Sequence, residues 1–491
     1  VVCVDDGELW PTSRAGNFGT VGVLTRPWDT WRAKEARHQP DYQDREVLSE
    51  VVGNLRQKPP LVFAGEVDDL RSELGAAGRH ESFVLIGGDC AETFAESTAN
   101  QLRLKIQTLL QMAVVLTYGS SMPVVKIGRI AGQYAKPRSS PVETRGTATL
   151  PSYLGDAVNS FEFTPEARFH DPRRLLDTYH ASAASLNLIR AFAKGGYADL
   201  RRVHEWNRGF AANPVFARYE HLATEINRAV RFMEAAGADF DTLRQVDFYS
   251  SHEALLLEYE SALTRIDSRT GLPYDTSGHF LWIGERTRGL DEAHVELLSR
   301  VRNPIGVKLG PTTTKDEVFG LIERLNPDGE EGRLTFISRM GADNIETSLP
   351  PLLEAAKTDG RPVTWITDPM HGNTISTSNG FKTRDFETIM REVRSFFDVH
   401  SSVGTVPAGI HVELTGADVT EVIGGAEGLD DLSLEQRYES LVDPRLNHQQ
   451  SLEIAFQVAG LAAEANDSEP YAPADASGFD EDEWQLFDAA R

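Results

Sequence analysis

The 491-residue chain is poor in cysteine and short of positive charge, and it has no long apolar run. Its two cysteines are Cys3 and Cys90. That excludes a disulfide scaffold and any metal site built from cysteine alone. Basic residues number 49 against 74 acidic ones, so the net charge is -25 at pH 7. Such a charge repels phosphodiester backbones and anionic lipid, so no nucleic acid and no membrane are expected as partners. A site for an anion must therefore gather its Lys and Arg locally. No stretch of 18 apolar residues occurs, so no transmembrane helix is expected. The opening VVCVDDGELWPTS lacks the basic start and apolar core of a signal peptide, which makes a soluble cytoplasmic protein the expectation. No G-x-G-x-x-G follows a strand-like run and no P-loop is present, which argues against nucleotide binding.

What is present is a globular composition, 40% hydrophobic and 25% charged. Three regions separate. Residues 1–78 are polar, rich in Trp and Pro, and contain one helix candidate, REVLSEVVGNLRQ, with Val47, Leu48, Val51, Val52 and Leu55 on one face. Residues 79–465 hold eight strand-like runs: FVLIGG (83–88), PVVKIG (123–128), QVDFYS (245–250), HFLWIG (279–284), PIGVKLG (304–310), LTFISRM (334–340), PVTWIT (362–367) and GIHVEL (409–414). Several are continuously apolar, as strands buried on both faces of a parallel sheet are. Helical patterns lie between most of them. Eight βα units predict an α/β fold, a closed (β/α)8 TIM barrel, with an open doubly wound sheet as the competing architecture. Between the second and third runs lies an inserted helical subdomain, at about 155–243, that offers either extra packing or an oligomer or effector surface; its helical patterns are RRLLDTYHASAASLNLIRAFAKGG and then ARYEHLATEINRAVRFMEAAG. Residues 466–491 form an acidic tail expected to be flexible.

In barrels the active site assembles where strands end. The strand ends here carry two kinds of chemistry. Cys90, His371, Glu413 and Asp443 could converge on one divalent ion. Each also has an ordinary reading as a buried thiol, a hydrogen-bonded imidazole or an ion-pair partner. Arg129, Lys136, Arg138, Arg286, Lys308 and Arg339 collect cations in an acidic protein. Glu285 and Asp368 can neutralise only some of them, so a substrate set carrying phosphate and carboxylate is the economical reading.

The motifs VLIGGDCAETF, MPVVKIGRIAGQYAKPRS, YSSHEALLLEYE, WIGERTR, NPIGVKLGP, SRMGADNI, DPMHGNT, GIHVELTG and DPRLNHQQSLEIAF resemble those of the type II (plant-like) 3-deoxy-D-arabino-heptulosonate 7-phosphate (DAHP) synthases. The resemblance runs from about Trp28 to Ala463. It implies a (β/α)8 barrel with an N-terminal extension and inserted helices. It also implies condensation of phosphoenolpyruvate with erythrose 4-phosphate, the first step of the shikimate pathway. The positions matching the family's metal ligands are Cys90, His371, Glu413 and Asp443, with manganese as the expected ion and cobalt or zinc as alternatives. Arg129, Trp282, Glu285, Arg286, Lys308 and Arg339 match phosphoenolpyruvate contacts. Lys136, Arg138 and Ser139 match contacts to the aldose phosphate. Catalytic roles fall to Lys136, Glu285, Arg286 and Lys308, with Glu285 orienting the attacking water. Some members carry a second cysteine where this chain has Val442, so a switch built on that pair is absent here. The resemblance further implies a homo-oligomer (dimer or tetramer), feedback by an aromatic amino acid through the insertion, and chorismate mutase as a candidate partner. A secondary-metabolism variant acting on an amino or imino aldose phosphate is the nearest alternative. In the tail, Phe479, Trp484, Leu486 and Phe487 interrupt the acids. A short helix over 481–489 would align Trp484 with Phe487 as a docking segment.

Overall fold

The computed structural model describes residues 26–194 and 246–465, together with part of 221–228. Eight parallel strands close into a barrel in chain order. They are β1 (Phe83–Gly88), β2 (Val124–Arg129), β3 (Tyr249–Glu253), β4 (Phe280–Ile283), β5 (Ile305–Leu309), β6 (Leu334–Ser338), β7 (Thr364–Thr367) and β8 (Gly409–Glu413). β8 returns to β1, with Val84 opposite Gly409 and Gly88 opposite Glu413. The barrel is therefore closed, and the open sheet is set aside.

The third strand differs from the sequence reading, starting at Tyr249 and running on to Glu253. The polar Ser251 and His252 suggested that the run had ended at 250. They are buried, and most of their polar groups find partners inside the protein. Ser251 Oγ donates to Gly128 O (3.1 Å), and His252 Nε2 lies 3.0 Å from Glu260 Oε1. A paired polar group can be buried without the full desolvation cost.

Side chains from alternate strand positions fill the barrel, among them Val84, Ile86, Val125, Ile127, Tyr249, Phe280, Ile337 and Ile366. Its N-terminal mouth is closed from outside the barrel sequence. Helix α1 (Arg45–Gln57) forms as expected, capped by Asp44, whose carboxylate accepts from Val47 N at 2.9 Å. A second helix, α2 (Ala64–Gly78), follows it and was not singled out from the sequence. Its apolar stripe is one residue wide amid charges. Leu70, Leu74 and Ala77 nevertheless join the barrel-interior cluster and seal that end.

The outer layer includes α3 (Ala99–Ser120), α4 (Arg174–Lys194), α5 (Lys315–Leu325), α6 (Phe386–Val403) and α7 (His448–Ala465). Helix α6 begins at Asp385, whose side chain accepts from Thr388 N, and ends at Gly404 with φ of 72°. α3 is buried over most of its circumference and packs on α7.

In the insertion the first expected helix, RRLLDTYHASAASLNLIRAFAKGG, forms as α4. A solvent-exposed hairpin, Val142–Arg145 with Ala148–Pro151, comes first, followed by irregular chain up to α4. The buried Arg168 organises that chain by donating to the carbonyls of Pro151 (3.0 Å), Phe161 (2.7 Å) and Glu162 (3.0 Å). A guanidinium with five fixed donors can hold a loop that lacks regular hydrogen bonding. Most of the second expected helix lies outside the described residues. So do Cys3 and the tail with Phe479, Trp484, Leu486 and Phe487.

Candidate active site at the C-terminal mouth of the barrel

Four potential ligand atoms meet where the strands end. One donor atom each from Cys90, His371, Glu413 and Asp443 lies within 4.8 Å of the other three. Cys90 follows the end of β1, where Gly88 adopts φ of 146°. A Cβ there would come within 2.6 Å of Arg129 O, so the turn that delivers Cys90 requires glycine. His371 lies in the loop after β7, Glu413 ends β8, and Asp443 lies in the loop before α7.

The imidazole is oriented from both sides. His371 Nδ1 is 2.7 Å from Asp368 Oδ2, and its Nε2 is 3.0 Å from Glu413 Oε1. A carboxylate behind one ring nitrogen is the usual support for a metal-ligating histidine. One thiol, one imidazole and two carboxylates, from three strand ends and the loop before α7, make a donor set that fits a single divalent ion. Burial raises the Cys90 thiol to about 12, and the Glu413 charge adds to the rise. Burial also pushes the Asp443 carboxyl up, but Lys136 and other cations outweigh it and hold it well below the usual range. Glu413 behaves likewise, with His371, Arg384 and Lys136 supplying the charge.

Beside this cluster opens a cleft of about 440 Å³. Lys136, Arg138 and Ser139 after β2, Glu285 and Arg286 after β4, Lys308 on β5 and Arg339 after β6 all line it, as do His371 and Asp443. Lys136 contacts both Cys90 Sγ and Asp443 Oδ2, so it joins the cleft to the cluster. Lys308 Nζ is 2.5 Å from Asp368 Oδ2, yet burial still pushes its ammonium below the ordinary lysine value. Arg138 is 3.8 Å from Glu143. Arg286 donates to Ser139 Oγ (3.1 Å), and Arg339 donates to His371 O (3.1 Å). Among the described residues neither Arg286 nor Arg339 has a carboxylate within ion-pair distance. Two guanidiniums without a carboxylate partner therefore face one cleft, beside a lysine that Asp368 neutralises.

Arg129 and Trp282 stand behind the cleft wall. Arg129 Nε donates to Asp89 O (2.8 Å) and its Nη2 to Cys90 O (3.0 Å). The same guanidinium pairs with Glu413 at 3.1 Å and lies over the Trp282 ring, 5.0 Å from its centre. Its donors are spent on the turn that carries Cys90, on Glu413 and on His411, whose Nε2 lies 2.5 Å from Nη1.

The site also takes in Glu253, which the sequence places just after the third strand run, and, beside the cluster, Lys382 and Arg384, which were not singled out. Glu253 ends β3 and lines the cleft; its Oε1 is buried with no hydrogen-bond partner, and burial raises its pKa against the surrounding cations. Lys382 reaches Asp443 Oδ1 at 3.2 Å, and the buried Arg384 sits 2.9 Å from Glu413 Oε2. Both lie on or beside a short ribbon, Ile375–Ser376 with Lys382–Thr383, that leaves no periodic trace in the sequence.

Comparison with known proteins gives a consistent result. The model of the class-II DAHP synthetase family matches residues 26–459. A phospho-2-dehydro-3-deoxyheptonate aldolase of Streptomyces coelicolor is 58% identical over 445 residues, covering 90% of this chain and 99% of that protein. The phospho-2-dehydro-3-deoxyheptonate aldolase AroG of Mycolicibacterium smegmatis is 49% identical over 444 residues, covering 89% of this chain and 95% of its own length. A solved structure of a phospho-2-dehydro-3-deoxyheptonate aldolase from Francisella tularensis SCHU S4 aligns over 87% of this chain and 98% of that one, with a TM-score of 0.41 and 12% identity. The chain belongs to the class-II DAHP synthetase family.

Proposed function

We propose that the protein is a metal-dependent 3-deoxy-7-phosphoheptulonate synthase. It joins phosphoenolpyruvate, erythrose 4-phosphate and water to give 3-deoxy-D-arabino-heptulosonate 7-phosphate and inorganic phosphate. The observation that carries this reading is the pair of unneutralised guanidiniums, Arg286 and Arg339, beside the Cys90–His371–Glu413–Asp443 cluster. The family and the names of the two relatives support it.

Arg286, Lys308 and Arg339 hold the phosphate and carboxylate of phosphoenolpyruvate, and paired N–H donors fix its plane. Lys136, Arg138 and Ser139 receive the aldose phosphate from the opposite wall. When bound, a divalent ion, with manganese as the proposed species, supplies Lewis acidity toward the aldehyde oxygen. C3 of phosphoenolpyruvate forms a bond to the aldehyde carbon, and positive charge develops at C2. Lys136 gives a proton to the new hydroxyl. Water adds at C2 and loses a proton to Glu253, whose unpartnered oxygen and raised pKa suit a base. Glu285, the expected water-orienting group, lines the same cleft with its Oε2 likewise unpartnered and its Oε1 3.4 Å from Arg288, and it orients that water. The hemiketal phosphate then expels phosphate, and the cations beside it stabilise the leaving charge.

The test is phosphate release. Release is expected only with both substrates present, to stop with chelator and to return with added manganese. Release from phosphoenolpyruvate without the aldose phosphate, or full activity in chelator, would refute the reading.

A further inference from the structure

Three buried glutamates lie under the loops that carry the site, and each accepts several donors from loop backbone. Glu92 accepts from Ala131 N, Gly132 N and Gln133 N at 3.0, 3.0 and 2.9 Å. Glu421 accepts from Glu439 N, Ser440 N and Arg445 N at 3.1, 2.8 and 2.8 Å. The third, Glu392 on α6, reaches two loops at once. Its Oε1 accepts from Met340 N (2.9 Å) and Gly341 N (3.0 Å), immediately after Arg339. Its Oε2 accepts from Asn373 Nδ2 (2.6 Å), two residues after His371.

Asn373 extends the link in both directions. Its Oδ1 accepts from Ala342 N (3.0 Å), and its Nδ2 also donates to Pro369 O (2.8 Å). The two loops touch through glycine. Gly341 has φ of 85°, and a Cβ on Gly372 would come within 2.4 Å of Gly341 N. No side chain fits between them, so the buried carboxylate beneath sets their spacing.

Glu421 is neutralised by Arg445 at 2.9 Å, and Lys105 lowers the cost of charge on Glu92. Among the described residues no cation is ion-paired with Glu392, although it is fully buried. Burial, with the Asp368 carboxylate adding, raises it to about 7 against the hydrogen bonds from Gly341, Asn373 and Met340. The raised value has a definite sign. A carboxyl whose folded pKa lies above its unfolded one stabilises the fold below the unfolded value, and that stabilisation is lost as pH rises through about 7. An uncompensated buried carboxylate is therefore not kept for stability at neutral pH.

We propose that Glu392 is a positioning residue that locks the Arg339 loop to the His371 loop and so sets the phosphoenolpyruvate site against the ligand cluster. This rests on the proposed function. Glutamine at 392 keeps the volume and removes the charge, but its NH₂ faces the Nδ2 donor of Asn373, which breaks the link between loops.

The test is steady-state kinetics of Glu392→Gln in the full chain, with Asn373→Ala severing the same link from the other loop. Glu392→Gln is expected to raise KM for phosphoenolpyruvate at least fivefold, to keep KM for erythrose 4-phosphate within twofold, and to leave thermal stability at pH 8 unlowered. Asn373→Ala should show the same split. A phosphoenolpyruvate KM within twofold of wild type in the folded variants overturns the proposal. So does insolubility of both variants, which would make the link a folding element only. A wild-type protein that releases no phosphate overturns the function itself, a distinct outcome from an active wild type with unaltered variants.

Discussion

Single side chains decide the chemistry, and Cys90 and Arg339 make the sharpest tests. Cys90 is 1% exposed and shares its cluster with three other donors. Serine in its place offers an oxygen that stays protonated where a thiolate is needed. Cys90→Ser is expected to bind manganese at least tenfold more weakly than wild type, measured by calorimetry on metal-free protein. Unchanged affinity would remove Cys90 from the ligand set. Arg339→Ala removes a cleft cation that has no carboxylate partner, so no buried carboxylate is left unpaired by its loss. It should lower kcat/KM for phosphoenolpyruvate at least tenfold, about 1.4 kcal/mol of transition-state binding. An unchanged value would place the substrate elsewhere. At this scale the sequence placed Cys90, His371 and Glu413 at strand ends through GGDC, DPMHGN and HVEL and Asp443 in a loop through DPRLN, while their grouping as ligands came from the family resemblance. It was not readable for Lys382 and Arg384, whose short ribbon has no period, nor for whether Arg129 faces the cleft or the turn behind it.

Among elements, the barrel strands were legible because continuous β-branched runs mark strands covered on both faces. The exceptions have physical causes. β3 carries buried Ser and His that pair internally, and polarity alone cannot distinguish that from a strand end. α2 was hidden because its buried stripe is narrow and its other faces are charged. Its role is testable. Leu74 is fully buried in the barrel-interior cluster, at the mouth opposite the cleft. Leu74→Ala should cost about 2–5 kcal/mol in a denaturant titration and leave kcat near wild type. A loss under 1 kcal/mol would mean that α2 is a cover and not a plug.

The whole molecule carries a charge of -25 while its cleft concentrates cations, a contrast that helps a doubly anionic substrate find one place to bind. No helix among the described residues is long and apolar enough to cross a membrane. We propose that the insertion between β2 and β3 is the effector surface and that the tail beyond Ala465 docks on the protein or on a second copy. Truncation after Ala465 should then change sedimentation or the response to tryptophan, tyrosine and phenylalanine, with kcat nearly intact. A truncated protein that matches full length in both, and in thermal stability, would reduce the tail to a solvated end. The measurement that bears most directly on the central claim is anomalous diffraction from crystals soaked with manganese and phosphoenolpyruvate. One manganese peak is expected among Cys90 Sγ, His371, Glu413 and Asp443, with phosphoenolpyruvate held by Arg286, Lys308 and Arg339. A manganese peak elsewhere, or phosphoenolpyruvate outside that cleft, would contradict the account.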